Sequence, residues 1–210
     1  MSIKRQINAA RIKFGILEYT LNESRTRNFT DIQVIEVCKD VGISKVTFFK
    51  YFTRKEDILL YYRSVFTLKL IIGIKQNKLE GIQALSHIVL TFAKEYQNRP
   101  SMVLGLVHYF TSSTQYVNPI RVKSAERDLI FKDLVDVDYE LVSFDQLIEQ
   151  LMLDVVFKKQ TILSSNPKYL SEIFLSTLYG ALVVFRMKGQ NNISMFLYSV
   201  IGAVFPGIKG

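Results

Sequence analysis

Tryptophan is absent from this chain, cysteine occurs once, histidine twice and proline four times in 210 residues. A lone cysteine, Cys38, excludes an internal disulfide and predicts a reducing compartment. His87 and His108 are the only histidines, and neither a glycine-rich phosphate loop nor a metal-ligand spacing is present. The chain is therefore not read as an enzyme, and no cofactor or metal is expected. Long apolar runs are also missing. The longest nearly apolar stretch, residues 195–208, covers 14 residues and includes Pro206 and two glycines, against roughly 20 for a membrane-spanning helix. Basic residues near the start are followed by recurring polar ones rather than by a secretory apolar segment. A soluble cytoplasmic protein without a membrane partner is the expectation.

What remains is ordinary in amount and informative in arrangement. Hydrophobic residues make up 49% and charged residues 22% of the chain, which excludes disorder and fibrous classes and leaves a globular protein. The net charge of +8 favours a polyanionic partner, and residues 1–63 hold 12 Lys and Arg against 7 Asp and Glu. Leu, Ile, Lys and Glu recur at helical spacing almost throughout, so the fold class is all-α. Ile3, Ile7, Ala10, Phe14, Leu17 and Leu21 form one stripe on a first helix, which should end before the loop at residues 23–28. Further helices are expected over residues 82–98, 101–112, 120–133, 144–163, 168–188 and 192–204.

Between the first helix and residue 80 the capping residues predict three more helices. Residues 32–40 follow Thr30 or Asp31 as N-cap and precede Gly42, where a left-handed residue ends a helix at least cost. A short helix over residues 45–52 has Ser44 as its N-cap. Thr53 and Glu56 have capping-box spacing and should open a connecting helix over about residues 54–74. Two short helices around a tight turn at residues 41–44 constitute a helix-turn-helix, whose second helix enters the major groove of double-stranded DNA. Val34, Val37, Cys38, Val41, Ile43, Phe48 and Phe52 are placed to pack it. Lys45, Val46, Thr47, Phe49, Lys50 and Tyr51 are left to face outwards.

This segment resembles the TetR family of transcriptional regulators. The resemblance is carried by Gly42-Ile43-Ser44-Lys45-Val46-Thr47-Phe48-Phe49-Lys50-Tyr51-Phe52, followed by Arg54-Lys55-Glu56-Asp57-Ile58-Leu59. In the family the segment reads Gly-Val-Ser-Lys-Gly-Thr, a hydrophobic residue, Tyr-x-Tyr-Phe, then x-Ser-Lys-Glu-x-Leu. The likeness extends over about residues 5–62. It implies an N-terminal three-helix DNA-binding domain, residues 1–53, followed by a larger helical regulatory and dimerisation domain, residues 54–210. It further implies that Lys45, Val46 and Lys50 lie nearest base edges, with Lys50 the candidate for a guanine contact. Gln33, Thr47, Tyr51 and Lys55 would sit on phosphates, and Ser44 and Phe49 complete the DNA-facing set. Lys4, Arg5, Arg25 and Arg27 are further cations for phosphate or the minor groove. Phe49 stands where the family often has tyrosine and Val46 where glycine is frequent, which shifts weight towards charge and contacts with thymine methyls.

The resemblance also implies a homodimer held by a four-helix bundle and a small-molecule effector that releases a repressor from its operator. For the bundle, helices 144–163 and 168–188 supply Leu147, Leu151, Val155, Leu178, Ala181, Leu182 and Phe185, with the small Gly180-Ala181 pair allowing close approach. The same residues would equally serve as the core of a single chain. For the effector, Phe92, Tyr96, Met102, His108, Tyr109 and Tyr116 combine apolar walls with few polar groups, as pockets do. His108 fits an ordinary structural role as well. Asp133, Asp136, Asp138 and Glu140 are read as a solvated loop. Two other functions stay open on the residues alone: a DNA-binding regulator or architectural protein with no ligand, and a carrier or enzyme whose basic segment is incidental.

Overall fold

Every regular element among the described residues is helical, as the scarcity of proline and of alternating patterns requires. The computed structural model describes residues 3–113, 119–131, 142–161, 163 and 165–209. Tyr116 and the acidic residues Asp133, Asp136, Asp138 and Glu140 lie outside them. The helices are α1 (Ile3–Glu23), α2 (Val34–Val41), α3 (Lys45–Tyr51), α4 (Asp57–Gln76), α5 (Gly81–Asn98), α6 (Pro100–Ser112), α7 (Ser124–Ile130), α8 (Phe144–Phe157), α9 (Pro167–Met187) and α10 (Ile193–Val204), with a 3-10 turn at Phe29–Asp31.

The chain divides into two compact units. The first comprises residues 1–68 and 98–141, and the second residues 69–97 and 142–210. In the first, α1 buries Ala10, Ile16, Leu17 and Thr20, spaced as one helical stripe. The expected stripe is shorter at its start, because Ile3 and Ile7 are exposed. α1 packs on α2 and α7, and α2 on α3. Around them Phe29, Ile32, Val37, Phe48, Phe52, Ile58, Leu59 and Tyr61 close the core.

In the second unit α9 packs against both α8 and α10. Ile148, Met152, Val155, Leu170, Phe174, Leu178, Leu182, Leu197 and Ile201 are its buried side chains. α9 is long and apolar enough by length and composition to cross a membrane. One face, from Leu170 to Phe185, is buried within the unit, while Val183, Val184 and Met187 are exposed. The N-terminus of α5 is held by α8: Gly81 N donates to Asp154 Oδ2 at 2.6 Å and Ile82 N to Gln160 Oε1 at 3.1 Å. Gly81 has φ +50°, a left-handed conformation that calls for glycine.

Several boundaries differ from expectation. α2 starts at Val34 with Gln33 as N-cap, whose own backbone N–H donates to Glu36 Oε2 at 2.8 Å. Thr30 and Asp31 belong to the 3-10 turn instead. α4 starts at Asp57, where the carboxylate accepts from Arg54 N at 3.0 Å, so Asp57 rather than Glu56 satisfies the free amide. α8 stops at Phe157, short of residue 163. Lys159 takes the left-handed conformation at φ 53°, and Gln160 N bonds back to Val155 O at 2.9 Å. A helix stop made by a lysine carries no sequence signal, since the left-handed region normally selects glycine.

An ion pair joins α1 to α7 across the first unit. Lys13 Nζ lies 2.9 Å from both carboxylate oxygens of Glu126, and the side chains are 8% and 3% exposed. The ammonium also sits 4.0 Å from the Tyr61 ring centroid and 5.9 Å from that of Phe52. Burial pulls the Lys13 ammonium below its usual range, and the Glu126 carboxylate opposes that shift. Burial likewise raises the Tyr61 phenol. Each charge is tolerable only because the other is there. Lys13→Met should therefore cost about 3–5 kcal/mol by leaving a buried carboxylate unpaired. The double variant Lys13→Met/Glu126→Leu should recover most of that loss. Urea denaturation of the two single variants and the double variant measures the coupling, and additive losses would contradict it.

Candidate nucleic-acid interface

α2 and α3 are joined by residues whose backbone demands are specific. Gly42 has φ 71° and ψ 37°, the left-handed geometry that ends α2, and its N–H returns to Cys38 O. Ile43 N also donates to Cys38 O, at 2.9 Å. Ser44 is extended, and its Oγ accepts from Thr47 N at 3.1 Å, capping α3 as predicted. The Thr47 hydroxyl lies 3.0 Å from the same oxygen.

α3 is anchored from one side only. Phe48 and Phe52 are fully buried, with Phe52 edge-on to Tyr61 at 5.7 Å and tilted against Phe48 at 6.0 Å. Positions four apart fall on one helix face, so the remaining positions are turned outward. Lys45 and Lys50 are exposed, as are Val46 at 82% and Phe49 at 48%. Val46, Phe49 and Lys50 stand at i, i+3 and i+4, one contiguous patch. Phe49 meets Phe48 edge-on at 5.2 Å, which fixes the ring while its outer edge stays in water. Ser44 and Gln33 are exposed, and Thr47 and Tyr51 are half-buried. The arrangement presents two cations and two apolar groups on a rigid helix.

Other expected contacts are engaged within the chain. Lys55 Nζ donates to Phe29 O at 3.1 Å, Thr30 O at 2.8 Å and Ile32 O at 3.1 Å, and lies 4.9 Å from the Phe29 ring centroid. An ammonium has three donors, so Lys55 is saturated here and ties the start of α4 to the turn before α2. Arg27 pairs with Glu23 at 2.8 Å and Glu36 at 3.1 Å and donates to Asp31 O at 2.9 Å. The Gln33 backbone N–H, followed by the Arg27 guanidinium, holds the Glu36 carboxyl below the usual range.

The residues expected to line an effector pocket fall in both units. Phe92 and Tyr96, in the second, are buried against Tyr179 and Phe185 with centroids 6.1 and 5.9 Å apart. Met102, in the first, is fully buried, Tyr109 half-buried and His108 exposed. The expected dimer residues lie mostly in the core of the second unit. Leu147, Val155, Leu178, Ala181, Leu182 and Phe185 are buried and Leu151 is half-buried. What these helices expose instead is Leu153 and Phe157 on α8, and Gly180, Val183, Val184 and Met187 on α9. Nothing lies within 4 Å of a Cβ built on Gly180. Among the described residues no group of His, Cys, Asp or Glu is placed to hold a metal ion.

Sequence reasoning missed a cleft on the first unit, of about 700 Å³, between Gln6 and Ala9 of α1, Tyr51 of α3 and residues 121–126. Its walls are far apart in the chain, and no local pattern announces them.

The sequence matches no protein-family model and no curated protein. Among solved structures, the chain superposes on Thermus thermophilus FadR, a TetR family transcriptional repressor, in complex with lauroyl-CoA. The TM-score is 0.63 at 13% identity, over 94% of this chain and 95% of that one. The fatty acid degradation regulator FadR from Bacillus halodurans gives 0.56 at 16% identity, over 94% and 96%. The chain has the TetR fold. In that fold the N-terminal helices are consistent with a helix-turn-helix, followed by a larger helical part.

If Lys55 is structural, Lys55→Ala should lower stability by about 1–3 kcal/mol, the range for hydrogen bonds to a charged group. Ser44→Ala should cost about 1 kcal/mol through the lost cap. Chemical denaturation checks both, and a Lys55→Ala protein as stable as the parent would return that lysine to the DNA-facing set.

Proposed function

We propose that this chain is a sequence-specific regulator of transcription that binds double-stranded DNA as a homodimer and is released from its operator by a small molecule. The observation that carries this reading is the outward face of α3. Val46 and Phe49 are held in water beside Lys45 and Lys50 on a helix whose opposite side is locked by Phe48 and Phe52. Such a face suits a major groove, where lysine reads guanine acceptors and apolar groups meet thymine methyls. Ser44, Thr47, Tyr51 and Gln33 flank it and fit phosphate contacts, which set register rather than sequence. Residues 1–53 are thus the reading segment, and residues 54–210 the regulatory and dimerising remainder.

Two reading helices must be held about 34 Å apart, one turn of duplex. We assign the dimer contact to the exposed sides of α8 and α9, through Leu153, Phe157, Val183, Val184 and Met187, with Gly180 allowing close approach. A two-fold contact presents the same patch on both subunits. The lauroyl-CoA in complex with Thermus thermophilus FadR supports a small-molecule effector for this chain. A differential affinity of the effector for two arrangements of the body is what would shift the spacing of the reading helices.

Genomic fragments retained by the protein supply the probe for a mobility-shift test. Lys50→Ala should weaken binding by about 1–3 kcal/mol and relax selectivity, whereas Tyr51→Ala should weaken all sequences alike. Unchanged binding by both variants at physiological salt would refute the reading. Separately, Phe157→Glu/Met187→Glu should yield a folded monomer in sedimentation, with DNA affinity reduced. A variant that remains dimeric would place the interface elsewhere.

A further inference from the structure

The cleft between α1, Tyr51 and residues 121–126 shares only Tyr51 with the reading above, and its charge is unusual. Its one carboxylate, Glu126, is paired with Lys13 at 2.9 Å, both of them buried. Arg121 and Lys123 are exposed on the same cleft, and neither forms an ion pair among the described residues. Among the described residues the cleft therefore carries two cations with no carboxylate paired to them. Val122, 4% exposed, is buried between them, and Lys123 has extended backbone at φ −82° and ψ 161°. Alternation along an extended segment sends Arg121 and Lys123 to the side opposite Val122.

Tyr51 sets the direction of this pair relative to the reading helix. It follows Lys50 by one residue, about 100° round the helix at 3.6 residues per turn, and it lines the cleft. A helix in the major groove has a sugar–phosphate strand along each flank, and the shared cleft puts Arg121 and Lys123 on the Tyr51 side of α3. We propose that Arg121 and Lys123 bind phosphates of the strand on that side, so that the DNA-contacting surface includes a segment far downstream of the helix-turn-helix. This rests on the DNA-binding reading given above. Lys13 and Glu126 act as positioning residues. Glu126 accepts from Lys13 Nζ and, at 3.2 Å, from the backbone N–H of Lys123, which ties the cations to α1.

The test compares the parent with Arg121→Ala/Lys123→Ala and with the charge-keeping Arg121→Lys/Lys123→Arg, on a selected genomic duplex and on a random one, across a salt series. Each lost phosphate contact should make the slope of log affinity against log salt shallower by about 0.9, so the alanine variant should differ from the parent by about 1.8. At about 0.1 M salt it should bind both duplexes about tenfold or more weakly, with its preference between them kept. The charge-keeping variant should retain the parent slope. An unchanged slope in the alanine variant overturns this inference and leaves the DNA-binding reading standing, because the parent still binds. No binding of any duplex by the parent removes both. Loss of tripolyphosphate binding in the alanine variant with an unchanged DNA slope also overturns it, and gives the cleft to a small anion.

Discussion

A helix of seven residues rich in aromatic and β-branched side chains has no stability of its own in water, since nucleation costs more than so few hydrogen bonds return. α3 exists because Phe48 and Phe52 are buried completely in the first unit. Every property of the outward face follows from that anchoring. The two phenylalanines fix the rotation of the helix, the Ser44 cap fixes where it begins, and Gly42 fixes its angle to α2. Lys45, Val46, Phe49 and Lys50 are then presented without freedom to fold back, so the entropy of ordering the helix is already met before a partner arrives.

The basic character of the first 63 residues is distributed between two uses. Lys13, Arg27 and Lys55 work inside the unit, neutralising Glu126, Glu23 and Glu36 or saturating backbone carbonyls. Lys45 and Lys50 are exposed on α3. The first set holds the first unit together, and the second is left in water. A charge count cannot separate them, because a lysine bonded to three carbonyls and a lysine in water are the same letter. Arg121 and Lys123 are also exposed, in a different part of the chain.

The helices were legible because their signals are local. Apolar periodicity located α1, prolines punctuated the helices beyond residue 80, and the Ser44 and Gly42 caps located the helix-turn-helix to within a residue or two. Misplaced boundaries arose where a residue took a role that the sequence pattern gave to another. Lys159 in the left-handed region ends α8, and Asp57 instead of Glu56 caps the start of α4. The apolar stripe of Leu147, Val155, Leu178 and Leu182 was also legible as a buried one. Its partner was not, since burial against the same chain and burial against a second copy require the same periodicity.

By itself the sequence determined an all-helical chain, a capped pair of short helices near the N-terminus and a basic surface around them, because these depend on neighbours within a turn or two. Only the tertiary structure decided which cations remain exposed, which sides of α8 and α9 face outward, and that Lys13 meets Glu126 113 positions away. Those outcomes depend on which helix faces come together, and a contact between distant segments leaves no periodic mark on either of them.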